Sequence, residues 1–240
     1  MAAIPILMYH QIDAVPPSGT PLRGLTVAPA AFARQMRLLK VLGYRGLSLS
    51  ELLPYLRGER QDKVVGITFD DGYLNNHTHA LPSLQAVGFS ATCYAVSARP
   101  GGVNDWDAGL AVAQKPLMDV PHWRDWLAAG MDIGAHTRHH ADLTTLDDEQ
   151  AREEIAGAKR ELEDRFGVAI RHFCYPYGRY TARDRELAIE AGYATATTTH
   201  RGRAHPGDDL FLLPRAMIAN GTWPWHLWLK VATAYEDKRR

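Results

Sequence analysis

Residues 64–73 read VVGITFDDGY, an apolar run that ends in two adjacent carboxylates and a glycine. The run from Val64 to Phe69 has the length and the β-branched content of a buried strand. The Asp-Gly pair that follows is common in turns, so the strand has a defined end. Because adjacent side chains diverge after a strand, Asp70 and Asp71 are free to take separate roles.

Similar apolar runs recur along the chain and alternate with amphipathic segments of helical period. The predicted strands are 4–9, 64–69, 89–96, 131–135, 170–175, 193–199 and 211–218. The predicted helices are 30–42, 76–87, 121–129, 146–166, 181–191 and 223–235. This alternation indicates parallel βα units rather than an all-β sandwich. We therefore expect an α/β fold, a distorted or incomplete parallel (β/α)7-type barrel.

The longest predicted helix, 146–166, has recognisable end signals. Thr145 with Asp148 three positions later resembles a capping box, and Gly167 is a natural helix stop. We expect the helix to begin after Thr145 and to end at Gly167.

The composition predicts one balanced domain. A chain of 240 residues buries a single sizeable core, so we expect one catalytic domain over residues 1–240. The 27 basic and 27 acidic residues cancel, which argues against nucleic acid as a partner. No window approaches the 18 apolar residues of a transmembrane helix. No signal peptide is seen, so we expect a cytoplasmic location, or export if the sequence has lost its leader.

The two cysteines, Cys93 and Cys174, lie in apolar strand-like runs. Two thiols do not make a disulfide framework. Both are predicted to be buried and free.

Polar residues follow several of the predicted strands. Asp70 and Asp71 follow one strand, and His136, His10 and Tyr177 each follow another. In a parallel barrel the chemistry lies at the carboxyl ends of the strands. We expect these side chains to face one common mouth.

The run GAHTRHHADL (134–143) carries His136 and His140 at a spacing of four residues. Two imidazoles and one carboxylate form the three-ligand arrangement with an open position that is typical of catalytic divalent metals. A surface histidine cluster without a role, beside a simple Asp-Gly turn, is the alternative. The shared strand-end geometry favours the metal.

Three motifs together resemble those of a known family. TFDDGY at 68–73, HTRHH at 136–140 and FCYPYG at 173–178 are similar, in order and separation, to the first three motifs of the polysaccharide deacetylases. This family is carbohydrate esterase family 4, the NodB homology domain, and the resemblance spans roughly residues 4–218. The opening PILMYHQI resembles the branch that deacetylates poly-N-acetylglucosamine. In that branch the motif order is permuted, so that an N-terminal histidine replaces a C-terminal one.

The resemblance implies a role for each matching residue. Asp70 would be the general base, His10 the general acid, and the backbone N–H of Tyr177 an oxyanion donor. The metal would be held by three residues: Asp71, His136 and His140. Zinc is the expected metal, although cobalt, nickel or iron would also suit this ligand set.

The chain departs from the broader family at two points. Cys174 stands where the third motif often has an arginine that holds the base carboxylate. As a hypothesis, Arg215 supplies this arginine from another strand; a surface salt bridge is the alternative, and both stay open. No Leu-x-His motif occurs near the C-terminus, and His200 lies in a polar loop-like run, so His10 is the better general acid.

The tryptophans differ in their surroundings. Trp123 and Trp126 fall three residues apart in a predicted helix, as do Trp225 and Trp228, which favours core packing for both pairs. Trp106 lies in the Gly- and Asp-rich loop 99–109, where an aromatic ring could stack on a sugar.

The resemblance implies a metal-dependent hydrolase that removes N-acetyl groups from N-acetylglucosamine-type sugars or polysaccharides. An alternative with the same machinery is a cytoplasmic metal-dependent amidohydrolase that acts on a small linear or cyclic amide. A third alternative is an inactive relative, without metal, that binds carbohydrate or a protein.

Overall fold

The structure, a computed structural model, describes residues 3–239, and these residues build a closed barrel of parallel strands. The strands are β1 (Ile6–Tyr9), β2 (Gln11–Ile12), β3 (Thr26–Val27), β4 (Arg45–Leu47), β5 (Val64–Phe69), β6 (Thr92–Ala95), β7 (Asp132–Ala135), β8 (His172–Cys174), β9 (Thr195–Arg201) and β10 (Leu213–Met217). The order around the barrel is β1-β10-β9-β8-β7-β6-β5, and pairing of β1 with β5 closes it. The predicted (β/α)7-type barrel is confirmed, and it is closed.

Two features distort this barrel. The register between β9 and β10 shifts between Leu213 and Arg215. The short strand β4 pairs with the first half of β5, and the carbonyl of Gly46 accepts a hydrogen bond from the N–H of Ser90 at the approach to β6. At its amino-terminal end the barrel therefore carries an additional strand.

Helices surround the barrel. They are α1 (Pro29–Val41), α2 (Leu49–Leu56), α3 (Leu81–Val87), α4 (Val120–Ala128), α5 (Asp148–Arg152), α6 (Ala158–Phe166), α7 (Ala182–Glu190) and α8 (Pro224–Ala232). A π-helical turn, Asn76–Ala80, leads into α3, and another, Glu153–Gly157, joins α5 to α6. Every predicted helix is present, with its ends shifted by a few residues.

The predicted start of the longest helix is wrong. Thr145 belongs to a separate 3₁₀ turn, where its hydroxyl donates to the carbonyl of Asp142. The capping box is formed instead by Asp147 and Gln150. The helical stretch ends at Gly167, as predicted, in the left-handed conformation.

Helix α2 and strand β4 were not predicted. Ser48 caps α2 by accepting a hydrogen bond from the N–H of Glu51, which is a readable signal. Pro54 lies inside this short helix and obscures its helical pattern. Strand β4 has only three residues, too few to show a period.

The core confirms some predictions for large and sulfur-containing side chains and contradicts others. Trp123 and Trp126 are buried, as predicted, and both cysteines are buried and free. The prediction of core packing for Trp225 and Trp228 is wrong, because these side chains are 59% and 45% exposed. Helix α8 packs on the core through Leu227 and Val231 instead.

Among residues 3–239, no helix combines the length and apolarity needed to cross a membrane.

His172 is a titratable group at the amino-terminal end of β8, away from the carboxyl ends of the strands. Its ring is buried, with Nδ1 2.9 Å from Oγ1 of Thr195 and Nε2 2.9 Å from Oγ of Ser50. Burial lowers the pKa of His172 to about 4, and the nearby Asp132 only partly opposes this shift. His172 is therefore neutral in the folded protein at neutral pH.

This burial predicts an acid-sensitive stability. Because the folded-state pKa of His172 lies below its value of 6.5 in the unfolded chain, protonation favours the unfolded chain. The contribution of His172 to the free energy of unfolding is fully present above pH 6.5. It decreases by about 3 kcal/mol as the pH falls to 4. Urea unfolding at pH 7 and pH 4 would show a smaller loss in His172→Gln than in the wild type. His205→Gln, at a partly exposed histidine, serves as the control and should retain the full loss.

Candidate active site

The carboxyl ends of the strands surround a cavity of about 210 Å³. It contains the side chains that the sequence places after the strands and in loop 99–109. Its walls include His10, Asp70, Asp71, Trp106, His136, His140 and Tyr177. Arg215 lies behind Asp70 and is 1% exposed. The structure thus brings all the predicted site residues together.

Asp71, His136 and His140 form a buried cluster in this cavity. Oδ1 of Asp71 lies 3.4 Å from Nε2 of His136 and 3.2 Å from Nε2 of His140. Ligand atoms of the three side chains lie within 4.8 Å of one another. Burial by itself would raise the pKa of Asp71, but the two imidazoles reverse this and hold it well below its usual value.

The donor geometry of this cluster fits a metal ion. Nδ1 of His136 lies 2.8 Å from the carbonyl of Cys174, which can accept only from a protonated nitrogen. In the neutral ring, Nε2 therefore carries a lone pair aimed at the Asp71 carboxylate. Two lone pairs at this separation repel each other unless a proton or a cation lies between them. An imidazole held through its other nitrogen by a backbone carbonyl is typical of metal-binding histidines.

A second set of donors, Asp70, His136 and Cys174, also converges. Arg215 donates to both oxygens of Asp70 and contacts Sγ of Cys174 at 3.2 Å. A metal ion at this position would face the guanidinium charge. The first set is therefore the better metal site.

Arg215 and Asp70 form a bidentate ion pair inside the protein. Nη1 and Nη2 of Arg215 lie 2.6 and 2.8 Å from the two carboxylate oxygens. Arg215 also donates to the carbonyl of Thr198 and to the hydroxyl of Thr68. The surface salt bridge considered from the sequence is thus wrong. Because Sγ of Cys174 packs against the guanidinium, the side chain that replaces the family's arginine leaves room for Arg215.

The environment keeps Asp70 ionised. Burial would raise its pKa, but the charge and hydrogen bonds of Arg215 lower the pKa below its usual value. Nε2 of His10 lies 3.8 Å from Oδ2 of Asp70. The side chain of Asn76 donates to the backbone carbonyl of His10 and fixes the end of β1. The cavity thus holds a carboxylate and an imidazole 3.8 Å apart.

Comparison with known proteins agrees with this geometry. The family model for polysaccharide deacetylase matches residues 57–196. The chain belongs to the polysaccharide deacetylase family. The resemblance inferred from the motifs is confirmed.

Individual relatives in this family match most of the chain. The "Putative polysaccharide deacetylase YxkH" of Bacillus subtilis is 30% identical over 222 residues, which cover 92% of this chain and 73% of that protein. The poly-beta-1,6-N-acetyl-D-glucosamine N-deacetylase of Escherichia coli K12 is 26% identical over 235 residues, which cover 82% of this chain but 34% of that protein. The structure of Streptococcus pyogenes deacetylase PplD in complex with acetate matches with a TM-score of 0.84 and 27% identity, covering 96% of this chain and 98% of that one.

The mouth of this deacetylase-family barrel contains strained backbone. Asp71, Thr137, His140 and Tyr177 have positive φ angles of 73°, 61°, 58° and 59°. Such angles cost non-glycine residues roughly 1–3 kcal/mol each, and they cluster at functional sites. Three of the four belong to the predicted site. The surrounding structure therefore holds these residues in conformations that they would not choose alone.

Tyr177 and Gly178 form a left-handed turn after β8. A Cβ atom on Gly178 would lie 1.8 Å from Oγ1 of Thr199, so only glycine fits there. Among residues 3–239, no backbone carbonyl accepts from the N–H of Tyr177. This N–H is thus available to an oxygen in the cavity, and the ring of Tyr177 packs edge-on against His140 at 4.6 Å.

Trp106 stacks on His140, with ring centroids 4.6 Å apart and planes 17° apart. One face of the indole thus supports a histidine of the candidate metal site, and the predicted contact of Trp106 with sugar stays a prediction. His200 lies in strand β9 and not in the loop expected from its polar sequence, but it is exposed, in keeping with the solvated role expected for it.

Sequence reasoning missed several residues of the cavity, among them Tyr73 and Asp107. Tyr73 is buried and its hydroxyl interacts with Asp71, and Asp107 is a buried carboxylate that accepts from the side chain of Asn104. The motif TFDDGY contains Tyr73 and was a usable signal. Asp107 has no such signal, because its loop holds several similar residues.

Replacing Arg215 should affect both stability and catalysis. Arg215→Ala leaves the Asp70 carboxylate buried without a partner, which costs about 3–5 kcal/mol of unfolding free energy. The pKa of Asp70 then rises, so the acid limb of the pH–rate profile should move to higher pH. Urea unfolding and turnover against pH measure the two effects.

Arg201→Ala provides a matched control, because Arg201 forms an ion pair with Glu236. It should alter stability without moving the pH profile. If Arg215→Ala left both turnover and its pH profile unchanged, Arg215 would have no part in holding the base.

Proposed function

We propose that the chain is a metal-dependent hydrolase that removes N-acetyl groups from N-acetylglucosamine-type sugars or polysaccharides. One observation carries the proposal: the Asp71, His136 and His140 cluster shares a cavity with His10 and the Arg215-bound Asp70. The relatives support it. The Escherichia coli protein is named for the removal of N-acetyl groups from such a polymer, and the structure of the Streptococcus pyogenes deacetylase is a complex with acetate.

Asp70 is the proposed general base. Its carboxylate stays ionised beside Arg215, so it can accept a proton from the water that attacks the amide carbonyl. The pair with Arg215 also restricts its rotamer. A carboxylate so fixed loses little entropy when it meets the attacking water.

Asp71, His136 and His140 are the proposed metal ligands. A divalent cation held by these three side chains would supply Lewis acidity for the amide carbonyl and for water. Two nitrogens and one oxygen suit zinc, and the same donor set accepts cobalt, nickel or iron.

His10 and Tyr177 complete the proposed machinery. The imidazole of His10 gives a proton to the leaving amine, a task that suits a histidine near neutral pH. The N–H of Tyr177 donates to the carbonyl oxygen as negative charge develops on it. The metal-free, inactive alternative would leave this combination of donors without a purpose.

Acetate release should depend on metal. We expect the purified protein to release acetate from N-acetylglucosamine oligomers, to stop after chelation and to recover when zinc or cobalt is added. No release from any oligomer by protein with stoichiometric metal would instead favour a small linear or cyclic amide as substrate.

Variants separate metal binding from proton transfer. Asp70→Asn should retain metal and lower kcat by about 10²- to 10⁴-fold, the range for a lost general base. His140→Ala should lose metal, measured as metal content per chain after dialysis. His139→Ala is the matched control, since His139 contacts Glu154 and not the metal-ligand cluster. This variant should retain its metal. Equal metal content in all three variants would argue against the proposed ligands.

A further inference from the structure

Three tryptophans lie exposed on one short segment. The exposed fractions of Trp223, Trp225 and Trp228 are 64%, 59% and 45%. Such a concentration of exposed aromatic surface marks a binding site more often than chance. The catalytic residues described above do not use it.

Two of these tryptophans lie at the barrel mouth. Trp223 follows β10 at its carboxyl end and caps helix α8. Helix α8 then runs towards the amino-terminal end of the barrel. There the carbonyl of Val231 accepts a hydrogen bond from the hydroxyl of Tyr44, which precedes β4. Trp223 and Trp225 therefore lie at the rim, whereas Trp228 lies farther down the outer wall.

The segment that leads to Trp223 is hydrogen-bonded to segments that border the catalytic cavity. The N–H of Asn220 donates to the carbonyl of Gly24 at 2.9 Å, and the neighbouring Leu22 and Leu25 line that cavity. The N–H of Ile218 donates to the carbonyl of Met8 in β1, the strand that leads to His10. The tryptophans thus extend from the His10 side of the site.

Trp223 forms one wall of a separate cleft of about 190 Å³. Arg34, Asn220 and Thr222 supply polar groups around it. The side chain of Arg34 is exposed. An aromatic face beside several polar groups matches a sugar ring, which has an apolar face and a rim of hydroxyls.

The loop that carries Trp223 is held in place. Nε2 of Gln35 donates to the carbonyl of Thr222 at 3.0 Å, and the hydroxyl of Tyr9 donates to Oε1 of Gln35. The hydroxyl of Thr222 accepts from the N–H of Ala219. A preorganised loop loses little entropy when it binds a ligand.

We propose that Trp223 and its cleft form a platform that binds a sugar unit of the substrate chain beyond the unit in the catalytic cavity. Trp225 extends this platform. The inference rests on the proposed function. If His10 protonates the leaving amine, the sugar lies on the His10 side of the cavity, which is the side of the platform. A membrane surface would use the tryptophans but not the polar cleft.

The test measures binding and turnover against chain length. In the Asp70→Asn protein, calorimetry should show tighter binding of the N-acetylglucosamine pentamer than of the monomer. Adding Trp223→Ala should weaken pentamer binding about tenfold, equivalent to about 1.4 kcal/mol, a usual cost of losing an aromatic anchor. In active protein, Trp223→Ala should raise KM for the pentamer far more than KM for the monomer. Trp223→Phe should recover part of the loss.

Trp228→Ala is the control, at an exposed tryptophan that lies farther along, inside helix α8. Equal binding of monomer and pentamer, or equal losses in Trp223→Ala and Trp228→Ala, would overturn the inference. Sedimentation with phosphatidylglycerol vesicles that depends on Trp223, without preference for longer oligomers, would also overturn it. Length-dependent binding through Trp223 without any acetate release would overturn the proposed function but support sugar binding by the platform.

Discussion

The buried ion pair between Arg215 and Asp70 is the interaction on which the rest of the site depends. Removing two charges from water costs several kcal/mol per ion, and only complete hydrogen bonding offsets this. Arg215 meets that condition because it also donates to Thr198 and Thr68. With Asp70 turned towards β10, the next carboxylate, Asp71, turns towards the two histidines. One interaction thus gives two adjacent, identical side chains different surroundings.

The second constraint is the strained mouth. Asp71, His140 and Tyr177 adopt left-handed backbone conformations that only the surrounding barrel can enforce. These angles aim a carboxylate, an imidazole and a backbone N–H into the same small cavity. The rigid wall beneath them, rather than the loops themselves, therefore fixes the geometry of the site.

Much of this arrangement could be predicted from local patterns. The apolar runs predicted the positions of the barrel strands. The polar residues after these runs predicted the site, because the carboxyl ends of the strands in a parallel barrel lie on one face. Arg215 could be proposed because Cys174 stands where the family often has an arginine. The burial of Arg215 could not be predicted, because it depends on β10 packing beside β1. The tryptophan pairs show the limit of periodicity. Trp123 and Trp126 have the same spacing as Trp225 and Trp228, but only tertiary packing decides which face of a helix is covered.

Closure of the barrel joins segments that are far apart in the sequence. Strand β1 pairs with both β5 and β10, so its partners come from two distant parts of the chain. His10 follows β1, and Arg215, which lies in β10, pairs with Asp70 across 145 sequence positions. Contacts of such long separation carry a large loop-closure entropy and slow folding. The site is therefore complete only when the barrel is closed, and a partly folded chain lacks it.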